Sequence, residues 1–321
     1  MSILETLKFK NIDAAPAQVV DEMTVVPLVG ENRGDIAEPE ALVFQRTNNY
    51  GSMVYKNEDE EKSTIVPSNM MVRGPSAQDH AMSGSGIIQA KGRVTFNNAC
   101  CIEETQGGFL TDSNNEYDIL PVGLRKKLLS LEKRKMKKYN KLWPEIAGWL
   151  QHSGASSSRA HLRYFYDNPV IKESLETFSA EFEPVSYQIG AIILFQEKIV
   201  GIEIMPSVAH WEIYWKLLIR GCYGAELIKQ KNEGTIKPSA LQMPDFPNVV
   251  ASPNALISIV DDFEKNIRHS AIQQLSSIQV KGVIDLGKKS DLHTGLVQTT
   301  AGGGGDIILQ KDEPIYLSLV V

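Results

Sequence analysis

Gln188-Ile189-Gly190-Ala191-Ile192-Ile193-Leu194-Phe195-Gln196-Glu197-Lys198-Ile199-Val200-Gly201-Ile202-Glu203-Ile204-Met205-Pro206-Ser207 is the stretch that decides the fold. Gln188–Phe195 is a near-continuous apolar run rich in β-branched residues, which predicts a strand buried on both faces. Gln196–Glu197 predicts a tight turn, and Lys198–Met205 a second strand of the same hairpin. Pro206–Ser207 ends it, and Ser207 is a helix cap. The helix that follows is predicted over about Val208 to Lys229, with Trp211, Trp215, Leu218 and Cys222 on its apolar face.

Outward from this hairpin, both ends of the chain read as β. Before it, from Leu7 to Leu110, short apolar runs alternate with Gly, Pro, Asn and Asp clusters. Thr24–Leu28, Ala41–Arg46, Ser52–Tyr55, Met70–Val72 and Val94–Phe96 are predicted strands, and Asn57–Lys62 an exposed charged turn. After it, a Pro-rich loop from Pro238 to Pro247 leads to a helix capped by Ser252 with Pro253 at its first position. Gln279–Leu286, Gly295–Thr300, Asp306–Gln310 and Ile315–Val321 are predicted strands, with Gly302–Gly305 as a hairpin turn rather than a phosphate loop. A phosphate cradle sits between a strand and a helix N-terminus, and both flanks here are strands.

Composition changes at Pro121. Leu124, Leu128, Leu131, Leu142, Ile146 and Leu150 recur at helical spacing, which predicts one long helix from Val122 to Gln151, kinked at Pro144. Its basic residues, Arg125, Lys126, Lys133, Arg134 and Lys137 among them, form a face that could track a phosphate backbone. A solvated surface is the commoner fate of such a run. Ser153 to Ser158 reads as a joint. The expected class is α+β: a β-rich domain over 1–120, then an α+β domain over 121–321 that begins with the amphipathic helix and holds a β-β-α core and C-terminal strands.

The 321 residues carry 42% hydrophobic and 22% charged side chains and a net charge of −6. That is the profile of a globular protein and disfavours whole-surface binding to nucleic acid. The longest apolar run, Ile189–Phe195, is too short to cross a bilayer, and the first eighteen residues do not read as a signal peptide. Cys100, Cys101 and Cys222 are an odd set with an adjacent pair, which points to a reducing compartment and no disulfide framework. The six histidines show no HxH or HExxH spacing, so no metal site is expected.

Two polar loops carry the chemistry. Arg73-Gly74-Pro75-Ser76-Ala77-Gln78-Asp79-His80 follows one strand, and Cys101-Ile102-Glu103-Glu104-Thr105-Gln106-Gly107-Gly108 ends another. Polar loops at strand ends of one β domain can converge on a pocket, although most such loops are only surface. Glu103 with Asp79, or with His80, is the acid/base combination available there. There is no nucleophile elbow or Ser-His-Asp order.

In their order, these two loops resemble the ARG and rhodanese-phosphatase-superfamily-associated protein family. Its pattern of Gly-Ala-Lys-Gln-Asn-Arg stands here as Gly74-Pro75-Ser76-Ala77-Gln78-Asp79-His80, one residue longer. Its Cys-Val-Glu triplet stands as Cys101-Ile102-Glu103. Met23–Leu28, Gln188–Ala191, Val200–Glu203, Leu217–Arg220, Tyr223–Glu226, Gly295–Val297 and Ile315–Leu317 are similar to further elements of the family, so the likeness covers most of the chain. Asp79-His80 replaces the family's Asn-Arg, Gly108-Phe109 its Arg-Trp, and Tyr316 a histidine. An arginine and a histidine are therefore missing from the pattern, while Gln78, Cys101 and Glu103 stand.

The resemblance implies work near nucleotide or ADP-ribose chemistry. On it, Gln78, Asp79, His80 and Glu103 are the expected ligand-binding residues. Gln78 and Asp79 would supply hydrogen bonds, Glu103 would be a surface general base or orienting carboxylate, and Cys101 a core residue. Neither a cofactor nor a reaction is named by the sequence. The rival readings are an oligomeric structural or interaction protein, in a virion or the cytoplasm of a bacterial host, and a nucleic-acid partner for the basic helix.

Overall fold

A computed structural model describes residues 2–75, 77–104, 107–155, 157, 159–237 and 253–321. The loop predicted over 238–247, the Ser252 cap, and Ser76, Thr105, Gln106, Ser156 and Ser158 lie outside the described residues.

The chain opens with a single turn, α1 (Ile3–Thr6), and then runs through twelve strands: β1 (Ile12–Ala14), β2 (Gln18–Val20), β3 (Met23–Gly30), β4 (Leu42–Asn49), β5 (Ser52–Asn57), β6 (Thr64–Val66), β7 (Met70–Arg73), β8 (His80–Ala81), β9 (Gly86–Ile88), β10 (Arg93–Phe96), β11 (Cys100–Cys101) and β12 (Glu116–Ile119). Helices α2 (Val122–Lys133), α3 (Trp143–His152), α4 (Arg163–Tyr166) and α5 (Pro169–Ala180) follow. Next come the hairpin β13 (Gln188–Phe195) and β14 (Lys198–Ile204), then α6 (Val208–Lys216), a π-helical segment (Leu217–Gly224) and α7 (Ala225–Glu233). Helix α8 (Pro253–Ser277) precedes β15 (Val280–Lys289), β16 (Leu292–Thr299), β17 (Gly304–Gln310) and β18 (Glu313–Val320). The fold is α+β with antiparallel sheets throughout.

The main sheet has nine strands in the order β1-β3-β13-β14-β18-β17-β16-β15, with β2 also on β3. It joins the two β-rich ends of the chain: β3 pairs along β13, with Ile192 opposite Val26. Hydrogen bonding therefore runs across position 120/121, where composition changes. β13 is central and buried along its whole length. Ala191, Ile193 and Phe195 enter one core with Trp211 and Trp215, while Ile189, Ile192 and Leu194 enter another with Ala271 and Leu275 of α8. Two covered faces explain why β13 reads as a continuous apolar run and not as an alternating one.

A third core lies beneath α2 to α5. Leu124 and Leu128, Ile146 and Leu150, Phe165, and Ile171 and Leu175 pack there on Met71, Ala81, Cys100 and Ile102. These contacts hold the small sheet β11-β8-β7-β12 against the helices.

Three expectations are corrected. The long basic helix is two helices. α2 ends at Lys133, Lys135 takes a left-handed φ of 56°, and α3 starts afresh at Trp143. Between Leu131 and Leu142 only Met136 and Tyr139 are apolar, against six Lys and Arg residues, so little anchors a continuing helix. Pro144 stands in the first turn of α3, where its missing N–H costs nothing, so it begins a helix and does not kink one. Arg125 is not on a basic face at all. It is buried, with Nη1 on Glu203 at 2.7 Å and Nη2 on Ser318 at 2.6 Å, and cannot meet a phosphate backbone. Finally, Asn57 is not part of an exposed turn. Its buried amide donates to the Lys62, Ile88 and Gln89 carbonyls. Lys126, Lys133, Arg134 and Lys137 are exposed.

Candidate functional site

The β7–β8 connection and the end of β11 meet. β8 sits between β7 and β11, with His80 opposite Val72 on one side and Cys101 on the other. This pairing carries the two loops past each other. Ile102 N donates to the Asp79 carbonyl at 2.9 Å, Gln78 Nε2 to the Glu103 carbonyl at 2.8 Å, and Asp79 N to Glu103 Oε2 at 3.4 Å. The four residues singled out by the sequence, Gln78, Asp79, His80 and Glu103, are thus brought together.

They are also buried, Glu103 at 3% and Asp79 at 0% exposure. The surface carboxylate expected at Glu103 is corrected, and the reason is a third segment. Glu103 forms an isolated antiparallel bridge with His161, and Glu104 N donates to the Ala160 carbonyl at 2.8 Å. Residues 160–162 therefore lie along the Glu103 strand end like one more short strand and cover it.

That segment supplies two residues the sequence reading missed. His161 Nδ1 lies 3.5 Å from Glu103 Oε1. Arg163, the first residue of α4, donates from Nε to Asp79 Oδ2 at 3.1 Å and from Nη2 to Asp79 Oδ1 and the Gly74 carbonyl. The same Nη2 is 3.7 Å from Glu103 Oε2. One guanidinium therefore holds two buried carboxylates that would otherwise repel each other. No local signal marks Arg163, because its partner Asp79 lies 84 residues away.

Burial pushes the Asp79 carboxyl up to about 7. Arg163 pulls it down and Glu103 pushes it up, but the loss of water dominates. His80 is lowered, first by burial, with the Gln78 and Tyr50 backbones acting the other way. Its Nδ1 lies 2.8 Å from the Gln78 carbonyl. Cys101 is buried, its Sγ 3.0 Å from the Glu103 carbonyl, and burial raises its thiol to about 12. A thiol so placed is a core residue and not a nucleophile.

The accessible edge of the cluster is small. Arg163 is 15% exposed along its side chain, and Nη1 has no hydrogen-bond partner among the described residues. Tyr164 is 54% exposed and stacks on His161, with ring centroids 4.8 Å apart. Among the described residues, no group of three or more His, Cys, Asp or Glu side chains could hold a metal ion, and no helix is long and apolar enough to cross a membrane. Tyr316, where the family pattern has a histidine, is buried, and its hydroxyl accepts from Ser68 N at 2.8 Å.

The family model described as the ARG and Rhodanese-Phosphatase-superfamily-associated Protein domain matches residues 11–320. No curated protein and no solved structure matches the chain.

Proposed function

Because the chain belongs to the ARG and Rhodanese-Phosphatase-superfamily-associated Protein domain family, we propose that it binds a nucleotide or ADP-ribose-like small molecule at the Asp79–Arg163–Glu103–His161 cluster. One observation carries this reading. Arg163 is held by Nε and Nη2 against Asp79 and Gly74, its Nη1 has no hydrogen-bond partner among the described residues, and the ring of the next residue, Tyr164, is exposed and stacked on His161. An immobilised guanidinium with a spare donor edge suits a phosphate oxygen. An exposed aromatic ring next to it suits a base or a sugar face.

On this reading Gln78, Asp79, His80 and Glu103 work from behind. Asp79 and Glu103 fix Arg163 and His161, Gln78 and His80 hold the backbone behind them, and none of the four faces the ligand. A thermal-shift series with AMP, ADP-ribose and NAD tests the reading. At a hundred times its dissociation constant a ligand stabilises by about 2.7 kcal/mol. Tyr164→Ala, a change at an exposed ring, should leave the unliganded melting temperature in place and remove the ligand shift. No shift with any of the three would sink the reading.

A second reading, an interaction protein that assembles with copies of itself, is favoured by β15. This strand is the open edge of the nine-stranded sheet, and Val283, Ile284 and Leu286 on it are exposed. Long edges with apolar side chains invite pairing. Light scattering at rising concentration separates a monomer from an assembly, and Val283→Lys should shift an assembly joined here toward monomer.

A further inference from the structure

One helical turn beyond Arg163, α4 reaches a second charged group. Asp167 accepts from Arg73 Nη1 at 3.1 Å, and Arg73 Nη2 donates to Glu116 at 2.6 Å and to Asp118 at 3.0 Å. Asp118 is fully buried, and its other oxygen accepts from Arg220 Nη2 at 2.8 Å. A single carboxylate thus joins two arginines from different parts of the chain.

Arg220 comes from the π-helical segment Leu217–Gly224. Such segments are rare and gather at functional sites, because the wider turn re-aims side chains. Gly221 lets the segment lie against Asp118: a Cβ there would stand 2.5 Å from Asp118 Oδ1. Arg73 and Arg220 line a cavity of about 300 Å³ together with Glu116, Tyr117, Tyr166, Lys172 and Glu176.

Apart from Glu176, the unclaimed groups around this cavity are donors. Arg73 Nε and Arg220 Nε are buried and have no hydrogen-bond partner among the described residues. Lys172 Nζ, Tyr117 Oη and Arg220 Nη1 make no hydrogen bond among the described residues. All of these groups can donate. Buried donors without acceptors are costly in a native protein, and a ligand rich in acceptors removes that cost. Arg73 is already matched by Glu116, Asp118 and Asp167, so it offers direction more than charge. Among the described residues Arg220 pairs only with Asp118 and Lys172 with no carboxylate, so these two supply the positive charge. A phosphate presents three acceptor oxygens, enough for donors that converge from several sides. Glu176, also unpaired among the described residues, is the acceptor for a hydroxyl on the same molecule.

We propose that this cavity binds a phosphate monoester of a polyol, with the phosphate on Arg220, Lys172 and Tyr117 and a hydroxyl on Glu176. The site goes beyond the Tyr164 reading and shares no ligand-contacting residue with it.

The test is calorimetric titration of the full chain with ribose 5-phosphate, inorganic phosphate and ribose. Ribose 5-phosphate should bind, inorganic phosphate more weakly, and ribose not at all. Lys172→Ala should weaken ribose 5-phosphate by about tenfold. Because Lys172 is exposed and unpaired, the unliganded melting temperature should not move. Arg220→Lys keeps a cation beside Asp118 and should also weaken binding. Tyr164→Ala should leave this titration unchanged, so the two sites can fail separately. No heat with either phosphate, or a titration unaltered by both Lys172→Ala and Arg220→Lys, overturns the site. Equal affinity for inorganic phosphate and ribose 5-phosphate overturns the polyol half.

Discussion

Arg163 grips the Asp79 carboxylate side-on, Nε donating to Oδ2 at 3.1 Å and Nη2 to Oδ1. The pair joins a β-strand end to the first turn of a helix 84 residues away, so the local fold and the candidate site depend on the same contact. Removing Arg163 strips its donors from the buried Asp79 carboxyl and the Gly74 carbonyl, and orphaned buried acceptors cost more than a lost surface pair. Arg163→Met should lower stability by about 1–3 kcal/mol. The double variant with Asp79→Asn should lose less than the sum of the single changes, by about 1–3 kcal/mol of coupling. Denaturant melts of the four proteins measure it, and strict additivity would show that the contact is not energetically formed.

The pH dependence of Asp79 has a definite sign. Its folded value is about 7 against 3.8 for the free side chain. Between those values the native state holds a proton that the unfolded state has released, so stability falls as pH rises through this window. Asp79→Asn should flatten that part of the profile. Two parallel profiles from pH 4 to 7 would contradict the raised value.

His210 should act in the opposite direction. Burial pushes it down to about 4, from 6.5. The unfolded state therefore takes up a proton below pH 6.5 that the native state refuses until about pH 4, and stability falls as the medium is acidified across that range. At 1.36 kcal/mol per unit the loss approaches about 3 kcal/mol. His210→Asn removes the titration, and equilibrium unfolding at pH 4.5 and 7 in both proteins reads the difference.

Glu103→Gln tests the buried carboxylate. Glu103 accepts from Asp79 N and faces both His161 and Arg163. The change should lower stability by about 1–3 kcal/mol. A surface general base, as the loop position alone suggests, would tolerate the amide with no change in melting temperature.

Strands were legible where an apolar run is bounded by turn residues, whereas Ile12–Ala14, Gln18–Val20, Thr64–Val66, Gly86–Ile88 and Glu116–Ile119 were not anticipated, because three or four residues carry too little pattern. Gln188–Phe195 coincides with β13, and Met70–Val72 lies within β7. Ser207 caps α6 as its position suggests, its Oγ accepting from His210 N at 3.2 Å. Helices α4 and α5 were not anticipated, although Asn168-Pro169 is a cap followed by a first-position proline, with Ile171 and Leu175 one turn apart. The π-helical segment was read as part of one continuous helix, and the close packing of Gly221 on Asp118 within it, between residues far apart in sequence, leaves no local pattern. In the site, loop order was enough to bring Gln78, Asp79, His80 and Glu103 together. Arg163 and His161 could not be found, because a pairing between distant segments leaves no local pattern.

Titration of ADP-ribose into the wild-type chain and into Tyr164→Ala tests the central claim most directly. The account predicts saturable binding to the wild type and its loss in Tyr164→Ala at an unchanged melting temperature. Absence of binding to the wild type, or equal binding to both proteins, would contradict a ligand site at the Arg163–Tyr164 edge.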